Sequence, residues 1–173
     1  MLKNWNTLSD KEYDEVWDYI FNDLKFDPSP YQSKKLENLP LQNLWFDTLF
    51  ILNKDFSNDD FEKLNITILN LLKTVAGNEN IYALDWQHEC FNFSPYFSFD
   101  GFKNENWPIQ LMSGGDSIFF LTNDYSNGIY SDGVNMQICF WGVEFLKVFE
   151  KIKIPKLSKN QMPTAKKIPQ FST

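Results

Sequence analysis

The chain has no arginine, one histidine (His88) and two cysteines (Cys90 and Cys139) in 173 residues. Each scarcity closes a route. Arginine is the planar fork that reads phosphates, carboxylates and base edges, so its absence argues against nucleic-acid recognition and phosphoryl transfer. A lone histidine leaves a metal site without a second imidazole. Two cysteines do not make the dense disulfide framework of a small secreted domain; they read as reduced, buried thiols of a cytosolic protein. The opening MLKNWNTLSDKEYDEVW lacks the apolar stretch of a secretory leader, and no apolar run reaches the roughly 18–20 residues of a membrane span. The expected location is the cytoplasm, with neither nucleic acid nor membrane as partner.

Apolar residues are plentiful. They make up 43% of the chain, with 17 Phe and 6 Trp, far too much for disorder. The length fits one domain, able to bury roughly 70% of its unfolded surface without staples. Charge is unevenly spread. Residues 1–146 hold 9 Lys against 22 acidic residues, a net of −13, whereas residues 147–173 hold 7 Lys against 1 Glu, a net of +6. An acidic body repels polyanions and favours basic partners.

Periodicity predicts an α+β fold. Ser9 and Glu12 form a capping box that opens a helix over about residues 9–25. Tyr13, Val16, Trp17, Ile20 and Leu24 supply its apolar stripe, and Asp10, Asp14 and Asp18 stack on another face. Pro28, Pro30 and Pro40 mark a connector. Residues 41–52 read as a strand. Ser57, Asp59 and Asp60 begin a second helix that Gly77 ends as a left-handed cap. From residue 80 the chain turns to short β-rich runs: NIYALDWQHECFNF, PIQLM, SIFFLTND, GIYS and VNMQICFW. They are divided by SP, SGGD, SNG and DG turns. In the last of these runs Val134, Met136, Ile138 and Phe140 should share one face. VEFLKVFEKI follows as a closing helix. The expectation is one domain over residues 1–154, an antiparallel sheet of about five to six strands with two N-terminal helices and one C-terminal helix. A Pro- and Lys-rich tail, residues 155–173, follows it.

The run NIYALDWQHECFNF carries the densest set of reactive side chains. Taken as one strand, alternation puts Tyr82, Trp86, His88 and Cys90 on one face and Asp85, Gln87 and Glu89 on the other. His88 is then opposed to Asp85, which argues against a histidine–carboxylate dyad. A zinc site on His88 and Cys90 lacks two further ligands, and Cys90 has no base beyond its own strand. These residues therefore read as structural, with His88 packed beside Trp86 and neither cofactor nor metal expected. SGGDS lacks the Gly-Lys-Ser/Thr of a phosphate loop, and DYSNGIYSDG lacks the closing Glu of a calcium loop.

The stretches YALDWQHECFNFSP, WPIQLMSGGDSIFFLTNDYSNGIYSDG and ICFWGVEFL, with EVWDYIFNDLKFDPSP near the N-terminus, resemble the bacterial family called domain of unknown function 2716. Ser117 departs from the aromatic of the family pattern, and the Lys-rich tail lies outside it. The resemblance brings no catalytic residues with it. The layout is also similar, at the level of fold, to small α+β immunity proteins.

These observations lead to a non-enzymatic protein-binding module, an immunity or inhibitor protein that neutralises a basic toxin or effector. Asp10, Asp14, Asp18, Asp85, Gln87 and Glu89 are its candidate contact residues. A phage-encoded inhibitor of a host defence protein is the near variant. The competing class is an enzyme or small-ligand domain with a pocket around Trp86, His88 and Asp124.

Overall fold

The computed structural model describes residues 4–28, 36–40, 42–49, 56–96, 108–110 and 115–149. The chain is α+β; the described residues form seven strands in one antiparallel sheet and three α-helices. The strands are β1 (Trp5–Thr7), β2 (Asn43–Asp47), β3 (Ile81–Asp85), β4 (Phe91–Phe93), β5 (Ser117–Thr122), β6 (Gly128–Asp132) and β7 (Gln137–Trp141). The helices are α1 (Asp10–Asp18), α2 (Asn58–Ala76) and α3 (Val143–Phe149). The tail, residues 155–173, and the domain boundary at 154 lie outside the described residues.

Local chemistry sets the helix ends. Ser9 and Glu12 form the predicted capping box, and Ser57 with Asp60 forms a second one at the start of α2. Gly77 closes α2 with φ 60° and ψ −114°, a positive-φ geometry outside the left-handed helical well that was anticipated. The first helix is shorter than its apolar periodicity suggested. After Asp18 it widens into a π-helical turn, Tyr19–Asp23, in which Leu24 N–H donates to Tyr19 O over 3.1 Å. Val16, Trp17, Ile20, Leu24 and Phe26 are all buried, but Tyr13, assigned to the same stripe, is 43% exposed.

The strand order is β1-β4-β3-β5-β6-β7-β2. Strands β5, β6 and β7 follow one another as a meander, while β1 and β2 close the two edges. Both faces of the sheet are covered, so its central strands read as unbroken apolar runs rather than alternating ones. Ala83, Phe120, Ile129, Ile138 and Phe140 face one core, together with Leu64, Ile68 and Leu72 of α2 and Phe145 of α3. Leu84, Phe119, Leu121, Tyr130, Cys139 and Trp141 face the other, with Val16, Trp17, Ile20, Leu24 and Phe26. Each large side chain removed from water adds about 1.5–3 kcal/mol, so the two cores dominate stability. Gly128 lies opposite Trp141 in the register. A Cβ there would overlap the indole.

Four sequence expectations are corrected. The run from residue 80 is two strands, β3 and β4, joined by a turn at Trp86–His88. Val134 and Met136 lie in the turn before β7, Met136 at φ 51°, so they share no strand face with Ile138 and Phe140. Pro108–Gln110 forms no strand, although Ile109 is buried. A three-residue strand, β1, was not foreseen. No helix among the described residues is long and apolar enough to cross a membrane.

Candidate functional site

The turn between β3 and β4 is built by a side chain. Asp85 Oδ1 accepts a hydrogen bond from Gln87 N–H at 2.9 Å, an Asx turn that reverses the chain without glycine or proline. His88 Nδ1 lies 3.0 Å from the same Oδ1. The dyad that strand alternation excluded is therefore present, because the chain has left the strand by residue 86. The hydrogen bond to Asp85, reinforced by its charge, raises the His88 pKa above its ordinary value. His88 is exposed rather than packed, its side chain 64% accessible, whereas the Asp85 side chain is only 10% accessible. Trp86 turns away into the aromatic cluster of Trp17, Phe21 and Phe26.

Asp116 completes the group. It precedes β5, held where Trp86 N–H donates to Ser117 O and Gly133 N–H donates to Asp116 O, each at 3.1 Å. One ligand atom from each of Asp85, His88 and Asp116 lies within 4.8 Å of the others. They line a cleft of about 590 Å³ with Glu89, Gln110 and apolar walls that include Phe91 and Ile118. No lysine is among the described lining residues. Glu89 is anchored by the Thr7 hydroxyl, which donates to its Oε1 at 2.9 Å.

The other sequence candidates are dispersed. Asp10, Asp14 and Asp18 lie exposed on α1, and Asp18 accepts from Asn22 Nδ2 at 2.6 Å. Asp85, Gln87 and Glu89 do not share a polar strand face: Asp85 is buried, while Gln87 and Glu89 are exposed in the turn and loop that follow. Asp124 sits in the β5–β6 turn, at the opposite end of β5 from Asp116. The Trp86–His88–Asp124 pocket is therefore not assembled. Asp124 is engaged locally, and the Thr122 hydroxyl at 2.7 Å leads the contacts that lower its pKa. Cys90 and Cys139 are buried free thiols, both pushed up by burial. Asp116 was missed as a site residue because SGGD reads first as a turn, and only the β3–β5 pairing brings it to His88.

The profile described as "Protein of unknown function (DUF2716)" matches residues 7–146. The chain belongs to the DUF2716 family. A relative, "Uncharacterized protein YxiI" of Bacillus subtilis (strain 168), is 27% identical over 154 residues, covering 86% of this chain and 94% of its own. No solved structure matches. Asp85 and His88 of DWQH and Asp116 of the GD pair, segments that carried the DUF2716 resemblance in the sequence, meet at the cleft.

Proposed function

We propose that this DUF2716 protein is a cytoplasmic, non-enzymatic binding protein that neutralises a basic protein partner, in the manner of an immunity or inhibitor protein. The observation that carries this reading is the acidic face of α1. Asp10, Asp14 and Asp18 are exposed and recur every four residues, where like charges cost a few tenths of a kcal/mol per pair. On that helix Lys11 pairs with Glu15 at 3.6 Å. Glu89 extends the strip, because Thr7 holds it beside the chain entering α1. A face that weakens its own helix is suited to steering a cationic partner, with more effect on association rate than on affinity.

The test is the association rate with a co-purified basic partner at rising salt. The rate should fall steeply, because exposed charges are screened beyond about 8–10 Å near physiological ionic strength. Asp14→Lys with Asp18→Lys should slow association and leave the melting temperature near that of the parent. A salt-independent rate, or a reversal variant that associates as fast as the parent, refutes the reading.

A further inference from the structure

We propose that Asp85, His88 and Asp116 form a binding site for a divalent transition-metal ion of the Mn²⁺ and Zn²⁺ class. This site is separate from the α1 face and independent of the partner proposed above.

Three observations carry it. First, the donor set is mixed: one imidazole and two carboxylates, with ligand atoms all within 4.8 Å of one another. An octahedral ion about 2.1 Å from its ligands places cis pairs about 3.0 Å and trans pairs about 4.2 Å apart. The His88 Nδ1 to Asp85 Oδ1 separation is 3.0 Å.

Second, the Asp85 carboxylate is nine-tenths buried at the cleft, and its contacts fall on one oxygen. Gln87 N–H and His88 Nδ1 both meet Oδ1. Among the described residues Oδ2 accepts no hydrogen bond. Oδ2 is therefore free to coordinate an ion at the cleft while Oδ1 keeps the bonds that orient the carboxylate. Third, the cleft gathers Asp85, Glu89 and Asp116 with no lysine among its described lining residues, in a chain with no arginine. Two ligating carboxylates balance the charge of a divalent ion.

The donors also select the ion. Imidazole with carboxylates suits Mn²⁺, Zn²⁺ and their neighbours better than an all-oxygen ion such as Ca²⁺. A thiolate site is ruled out locally, because the Cys90 thiol points to the Asp85 and His88 carbonyls. Three protein ligands leave positions open to water.

Because His88 is the sole histidine, its ring protons give one unambiguous pair of NMR signals. The experiment titrates tag-free, chelator-stripped full chain with MnCl₂ or ZnCl₂, following heat by calorimetry and the His88 signals by NMR. One ion per chain should bind, with Mn²⁺ broadening the His88 signals and Zn²⁺ shifting them. His88→Ala and Asp116→Asn should each weaken binding tenfold or more, and Asp124→Asn at the far end of β5 should not. Asp85→Asn should behave as the other two ligand variants; if it fails to fold, His88→Ala decides, since His88 is exposed. The proposal is overturned by no stoichiometric binding, by unmoved His88 signals, or by His88→Ala and Asp116→Asn binding as the parent does.

Discussion

Two aspartate turns flank β5 at the same end of the sheet, and they are finished differently. Asp85 pairs across from Ile118, and Asp132 from Ser117. Both are buried, at 8% and 4% exposure, and both use Oδ1 to hold the backbone two residues on. Asp132 accepts from Val134 N–H and Asn135 N–H at 3.0 Å each, and its Oδ2 accepts from Asn135 Nδ2 at 2.7 Å. Asp85 holds Gln87 N–H and meets His88, all through Oδ1. One carboxylate is spent on closing its turn. The other closes its turn with a single oxygen at the edge of a cleft. An identical device thus serves structure at one site and leaves chemistry available at its neighbour.

The contrast is sharpest in stability. Asp132→Ala removes three part-buried hydrogen bonds from a buried carboxylate, so unfolding free energy should fall by about 2–4 kcal/mol. For a chain of this size that lowers the midpoint of thermal unfolding by roughly 6–12 °C. Asp85→Asn should cost less than about 1 kcal/mol, because the amide oxygen still accepts from Gln87 N–H. Calorimetry of the two variants checks both. If Asp85→Asn costs as much as Asp132→Ala, the two turns are equivalent and the comparison fails.

The smallest effect belongs to a third aspartate turn, at Asp124, which is exposed. Its pKa is lowered, first by the Thr122 hydroxyl and then by Ser126. A depressed carboxylate adds stability that is complete above its unfolded value, about 3.9, and lost as pH falls through the folded value. Asp124→Asn should therefore melt slightly below the parent at neutral pH and converge with it in acid. A gap that stays constant from pH 7 downward would show that the charge contributes nothing. Melting curves at stepped pH distinguish the outcomes.

How far these turns were legible depended on what makes them. SNG and DG announced the turns after β5 and β6 through glycine, and Ser9 and Ser57 announced helix starts through their caps. DWQH contains no glycine or proline, and its reversal rests on Asp85, whose Oδ1 accepts from Gln87 N–H and whose carbonyl accepts from His88 N–H, so the segment read as a continuous strand. That single error placed His88 opposite Asp85 and hid the dyad. The turn at Val134–Met136 was absorbed into β7 for a related reason: its apolar side chains imitate strand alternation, while Asp132 provides the chain reversal. Strand β1 was too short to show a period. Asp116 needed tertiary information, because no spacing within SGGD indicates that β5 will lie beside β3. The α+β class was legible because helix caps and β-rich runs occupy separate stretches of the chain.

The edge positions of β1 and β2 carry a consequence for how the chain is made. Trp5 pairs with Phe93, and Asn43 pairs with Trp141. A ribosome releases both edge strands long before the strands that receive them exist. β1 must wait for β4, and β2 for β7. During that interval Trp17 and Phe26 have no sheet to cover, since their contacts Phe119 and Tyr130 also come later. The N-terminal third of the nascent chain therefore emerges sticky and unpartnered, and ordering it depends on the meander completed by Trp141.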